Sequence, residues 1–154
     1  MYGRWQSDQK YNIARGILAK VLDSLSTMQN VEVALRVYGH QYTYPPGECT
    51  DSRLEVPFGK DNFRKINDKL STIVPKGTSP IAYSLELTAR DFPPCEDCRN
   101  IIVLITDGIE ECGGDPCSVS QKLQKEGVIM KPFVVGIGKS FEDAFNCVGH
   151  YFDA

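Results

Sequence analysis

Five consecutive aliphatic residues, Ile101-Ile-Val-Leu-Ile105, run straight into Thr106, Asp107 and Gly108. An apolar run without alternation suits a strand covered on both faces, and such strands belong to parallel sheets flanked by helices. Parallel neighbours need crossover connections, so this one segment commits the chain to an α/β architecture. Asp107 and Gly108 stop the run. In open α/β sheets ligands bind just outside the carboxyl ends of the strands, which makes Asp107 the first candidate functional residue.

The rest of the pattern agrees. Asp8 to Thr27 reads as an amphipathic helix, because Ile13, Ile17, Leu18, Val21, Leu22 and Leu25 recur at three- and four-residue spacing; Ser7 or Asp8 can cap it. Val31 to Tyr38 alternates as a strand. The connection through Pro45, Pro46 and Gly47 is too short for a crossover, so Ser52 to Phe58 pairs with it antiparallel. Asp61 to Val74 is helical. A further helix opens at Gly77-Thr78-Ser79-Pro80, with Thr78 or Ser79 as cap and Pro80 in the first turn, and Pro93-Pro94 ends it. Beyond Asp107 the pattern predicts a helix over Cys117 to Glu126, a strand over Lys131 to Ile137, a short helix over Phe141 to Cys147 and a strand stub at His150 to Phe152. The sum is a doubly wound, mostly parallel sheet with one antiparallel edge strand and helices on both faces, in a single domain over residues 1–154.

Composition narrows the partners. A net charge of −3 argues against nucleic acid or an anionic membrane surface. No apolar run approaches the ~20 residues that span a bilayer, so membrane insertion is not expected. The first residues, Met1 to Ser7, lack the apolar stretch of a signal peptide. The even set of cysteines, Cys49, Cys95, Cys98, Cys112, Cys117 and Cys147, nevertheless favours disulfides and an oxidising compartment. Gly113-Gly114-Asp115-Pro116 is turn chemistry, so Cys112 with Cys117 is the first expected pair.

Three constellations could carry chemistry. Asp107 with the hydroxyls of Thr78 and Ser79 offers oxygen ligands of the kind Mg²⁺ prefers; the plainer reading is a turn acid and a helix cap. Cys95-Glu-Asp-Cys98 with Cys112 and Cys117 offers thiols for zinc, or for redox work. The strand between the two pairs separates them by ~20 Å, which argues against one shared metal. The C-x-x-C pair also precedes a strand rather than opening a helix, unlike a thioredoxin-type motif. Structural disulfides are the reading these facts favour. His40 lies near the carboxyl edge, but no Gly-x-Ser-x-Gly elbow or complete glycine-rich phosphate loop accompanies it.

Ile102-Val-Leu-Ile-Thr-Asp-Gly108, preceded by Gly77-Thr-Ser-Pro-Ile-Ala-Tyr-Ser-Leu85, resembles the von Willebrand factor type A domain, and the order of elements fits across nearly the whole chain. Thr106-Asp-Gly-Ile-Glu-Glu-Cys-Gly-Gly-Asp-Pro-Cys117 is similar to a bacterial subgroup, often exported or envelope-associated. The resemblance implies a metal-ion-dependent adhesion site holding Mg²⁺, or Mn²⁺ or Ca²⁺, whose open coordination position takes a carboxylate from a protein partner. Asp107 matches the family's acid. Counting back from Leu85 favours Ser79 as the loop hydroxyl, while residue type favours Thr78. Tyr2, Trp5 and the turn from Glu110 to Pro116 would then form the contact rim.

The family's Asp-x-Ser-x-Ser motif has no counterpart, because the segment like Met1-Tyr-Gly-Arg-Trp follows that motif in the family. A central strand between the Val31 and Ile101 strands is therefore expected to be missing, as is a last helix, leaving two strand edges unpaired. The implied function is a non-enzymatic, extracytoplasmic protein-binding module with an incomplete site and weak or absent metal binding. The alternatives are a scaffold subunit of a chelatase-like metal-dependent enzyme complex, or a cysteine-based redox or zinc protein.

Overall fold

The computed structural model describes residues 1, 3–5 and 8–154. Two short strands, β1 (Arg4–Trp5) and β2 (Asp8–Gln9), pair antiparallel and lead into α1 (Lys10–Ser26). The cap expected at Ser7 lies outside the described residues; Asp8 takes the Asn12 side-chain amide at 2.9 Å from within β2. Next come β3 (Val33–Tyr38), β4 (Ser52–Gly59), α2 (Asn62–Leu70) and α3 (Ile81–Asp91). The chain continues through β5 (Val103–Thr106), α4 (Pro116–Lys125), β6 (Phe133–Gly136), α5 (Glu142–Phe145) and β7 (His150–Asp153).

Apart from the β1–β2 pair, the strands form two sheets rather than one. β3 and β4 make the antiparallel pair that the short connection demands, while β5, β6 and β7 are parallel in that order. No ladder joins β3 to β5 among the described residues. α1 and α2 pack on one face of the β3–β4 pair, burying Leu22, Ile66, Leu70 and Ile73 against Val56, with Val33, Leu35 and Val37 beside them. α3, α4 and α5 cover one face of the parallel sheet, where Ile81, Leu85, Leu104, Val134 and Phe145 form the larger core.

The other face of that sheet is open. Ile101 and Val103 are 49% and 40% exposed, and Phe133 and Phe152 stack on the same side at 6.3 Å. The aliphatic run is thus buried only through Ile102, Leu104 and Thr106, not on both faces. Continuity of apolar residues reports tolerance for burial, and a neighbouring element must still supply the cover.

α3 ties the two sheets together. Its first turns sit in the larger core through Ile81 and Leu85. At its end Asp91 takes a bidentate ion pair from Arg36 of β3, with Nε–Oδ2 and Nη2–Oδ1 distances of 2.7 and 2.8 Å. Just beyond it, Phe92 packs on Phe58 of β4 at a ring separation of 5.1 Å.

Candidate binding site at the carboxyl edge

β5 delivers Asp107 to the carboxyl edge. The turn that follows is fixed by Thr106, itself buried, whose hydroxyl donates to Gly108 O at 2.9 Å. Asp107 stays largely covered, and two cations meet it: the amino group of Met1 and Lys10 Nζ, the latter at 3.5 Å. Both come from the segment that enters α1, so the first residues of the chain fold over the end of β5.

Three loops converge beside this carboxylate. Gly39, at φ +64°, lets the loop after β3 pass against the one before α3, and Lys76 N and Gly77 N both donate to Gly39 O at 2.9 and 2.8 Å. Fully buried Asp51 knots the first loop from inside. It accepts from Gln41 N at 3.0 Å, from Gln41 Nε2 at 2.9 Å and from Tyr42 N at 3.0 Å. The loop after Asp107 is then stitched to the loop after β3 by the Cys49–Cys112 disulfide, whose Cα atoms are 5.6 Å apart. This covalent rim leaves Tyr42, Tyr44 and Ile109 more than half exposed.

The start of α3 is capped from across the site. Neither Thr78 nor Ser79 caps it by side chain, and Pro80 occupies the cap position. Instead Glu111 Oε2 accepts from Ser79 N and Glu110 Oε2 from Ala82 N, each at 2.8 Å, while Glu110 Oε1 accepts from Cys112 N. Carboxylates at a helix N-terminus satisfy orphan N–H groups and complement the dipole. Glu110, expected on the rim, is therefore turned inward. Burial pushes the Tyr38 hydroxyl pKa up; a hydrogen bond with Thr106 opposes the rise, and the negative charges of Asp107, Glu110 and Glu111 reinforce it. A neutral phenol thus sits under the acidic rim.

The residues named from sequence come together only in part. Thr78 donates its hydroxyl to Glu48 O at 3.0 Å, and Ser79 is engaged through its backbone. Tyr2 lies outside the described residues. Trp5 sits in β1 with its indole N–H buried and unpartnered among the described residues. No group of three or more metal-ligating side chains gathers among the described residues. Of the named donors, Asp107 is paired with Lys10 and the Thr78 hydroxyl is engaged by Glu48 O, so these residues do not gather into a Mg²⁺ site in this arrangement.

The cysteines pair differently from the local expectation. Cys112 reaches Cys49 across 63 residues, and Cys117 bonds Cys147 across 30. The Gly113–Pro116 stretch does not double back: Asp115 caps α4 by accepting from Ser118 N at 3.0 Å, and Pro116 starts the helix. Cys117 is thereby carried onto α4, away from Cys112. Cys95 and Cys98 close the third disulfide. No thiol among the described residues is free. Sequence reasoning missed Asp51, and it placed Glu111 only within the rim turn rather than as a cap for α3. An acid immediately before a strand, and a second acid beside Glu110, were the only signals, and both resemble ordinary loop residues.

A family model for the von Willebrand factor type A domain matches residues 6–149. The uncharacterized Bacillus subtilis (strain 168) protein YwmC is 26% identical over 155 residues, covering 94% of this chain and 67% of its own length. Among solved structures, the conserved hypothetical protein BatB of Bacteroides thetaiotaomicron superposes with a TM-score of 0.72 at 18% identity, over 96% of this chain and 81% of that one. Proximal thread matrix protein 1 of the mussel byssus, solved with a zinc-occupied MIDAS motif, gives 0.70 at 16% identity over 94% of this chain and 38% of its own.

Proposed function

The chain belongs to the von Willebrand factor type A domain family, and from that membership we propose that it is a non-enzymatic module that binds a protein at the carboxyl edge of its sheet. The observation that supports this reading is the covalent rim. Loops from both halves of the molecule are fastened by Cys49–Cys112 around Asp107, and they hold Tyr42, Tyr44 and Ile109 out to solvent. Rigid aromatic side chains give large contact area at low entropic cost, which suits a protein interface. A carboxylate-presenting partner belongs to an intact metal site, which these residues do not complete. Contact through the loop rim, with weak or absent Mg²⁺ binding, is the mode proposed here. Three disulfides favour an extracytoplasmic setting.

Site-specific photocrosslinking tests the surface. A benzophenone side chain at Tyr44 or Ile109 is expected to trap protein adducts in the native host, and one at exposed Lys65 on α2 is not. Equal labelling from all three positions would overturn the assignment. For the metal, calorimetric titration with Mg²⁺ or Mn²⁺ is expected to show no tight binding; a dissociation constant at or below about micromolar would contradict it.

A further inference from the structure

His40 stands in the loop that leaves β3, and its side chain is only 9% exposed between two carboxylates. Nε2 lies 2.7 Å from Glu55 Oε1 on β4, a hydrogen bond in which the ring donates. Nδ1 faces Asp51 Oδ1 at 3.9 Å and is buried without a hydrogen-bond partner among the described residues. Buried polar atoms are nearly always paired, so an orphan of this kind calls for a reason.

The ring's two protonation states supply one. A neutral ring that donates through Nε2 turns a bare lone pair toward the Asp51 carboxylate. A protonated ring places an N–H there and can bond both acids at once. The charges around it favour that state. Among the described residues Glu55 is also met by Lys69 of α2 at 2.7 Å and by Arg53 of its own strand at 3.8 Å. Fully buried Asp51 has no basic side chain within ion-pair distance there except His40. Burial disfavours the Glu55 charge, but hydrogen bonds from Lys69 and His40 hold its pKa below the usual 4.5. It is therefore ionised across the range in which imidazoles titrate.

Asp51 is also the knot of this loop. Its oxygens accept from Gln41 N, Gln41 Nε2 and Tyr42 N, and the exposed side chains of Tyr42 and Tyr44 ride on that turn. Just before His40, Gly39 O takes Lys76 N and Gly77 N from the loop before α3. A proton on His40 thus acts on the group that orders this part of the rim.

We propose that His40 is a proton-operated latch: protonated, it bridges Glu55 and Asp51 and fixes the Tyr42–Tyr44 loop, and neutral, it lets that loop loosen. The sign follows from linkage, since a state that binds an extra proton gains as pH falls and loses as pH rises. The consequence for binding, a rim better ordered at mildly acidic than at alkaline pH, rests on the interface reading above.

Amide hydrogen exchange at about pH 8 and about pH 5.5, corrected for the intrinsic rate at each pH, tests the latch without any partner. Protection at the Gln41 and Tyr42 amides is expected to rise about fivefold or more on acidification, while that at Leu123 of α4 stays level. His40→Gln keeps a donor for Glu55 but cannot take up the charge, and is expected to flatten the response. His150→Gln, at the exposed start of β7, is expected to retain it. Should His40→Gln not fold, the ring-nitrogen shifts of His40 in the unaltered chain carry the test, because their titration must follow the same pH course as the protection. Level protection at Gln41 and Tyr42 would overturn the proposal, as would a response that survives in His40→Gln or departs from the His40 titration. Crosslinking from Tyr44 at both pH values keeps the two readings apart: no adducts at either, with the exchange response intact, would sink the interface and uphold the latch.

Discussion

Glu55 shows how single groups hold the hairpin half in shape. Burial disfavours its charge, but hydrogen bonds from Lys69 and His40 outweigh that cost and leave its pKa below the usual 4.5. The geometry is close: Lys69 Nζ and His40 Nε2 each lie 2.7 Å from a carboxylate oxygen. A carboxyl with a depressed native pKa contributes stability above its unfolded value, and that contribution is lost as pH falls through the native value. Urea denaturation across a pH series is therefore expected to show stability falling below about pH 4.5, with a shallower fall in Glu55→Gln. Identical acid limbs would refute the assignment. At this scale the sequence was legible where a residue ends a pattern, as Asp107 does. It was not legible where a loop carboxylate turns inward, because the partners of Glu110 and Glu111 lie about thirty residues away, at the start of α3 and just before it.

α3 is the element on which the arrangement depends most. Arg36 and Asp91 are both largely covered, so removing one partner strands the other in a poorly solvated place. Asp91→Asn is expected to cost about 2–4 kcal/mol in chemical denaturation, with a rise in exchange at β3 amides as the strut loosens. A change within ~0.5 kcal/mol would show that packing of Ile81 and Leu85 alone positions the helix. The helices were legible because a three-to-four residue repeat marks a single buried stripe, and the antiparallel β3–β4 pair followed from its short connection. The exposed face of β5 was not, because Ile101-Ile-Val-Leu-Ile105 records only that both faces could be covered. Likewise Ser79-Pro80 looks like a self-capping helix start, yet its caps arrive from another loop.

For the whole molecule, topology was readable and covalent connectivity was not. The order of helices and strands follows from local patterns joined to a family resemblance. Disulfide partners depend on how loops approach in space, so Cys49 and Cys112 could not be matched from spacing. Closing so long a loop restricts the unfolded chain strongly: the double variant Cys49→Ser/Cys112→Ser is expected to lose about 2–4 kcal/mol in guanidinium denaturation. An unchanged midpoint would mean that backbone ties such as Gly77 N to Gly39 O already fix the rim.

The same bonds decide how the molecule answers a pull. Tension applied at its two ends passes from Cys49 directly to Cys112, and from Cys117 to Cys147, through sulfur rather than through the folded chain between them. β4, α2, α3 and β5 lie inside the first bypass, and most of α4 and all of β6 and α5 inside the second. An oxidised chain can therefore release chiefly the segment before Cys49, with α1 and β3, and a reduced one regains the full length of the bypassed segments. Load reaches the rim while the greater part of the scaffold behind it bears none.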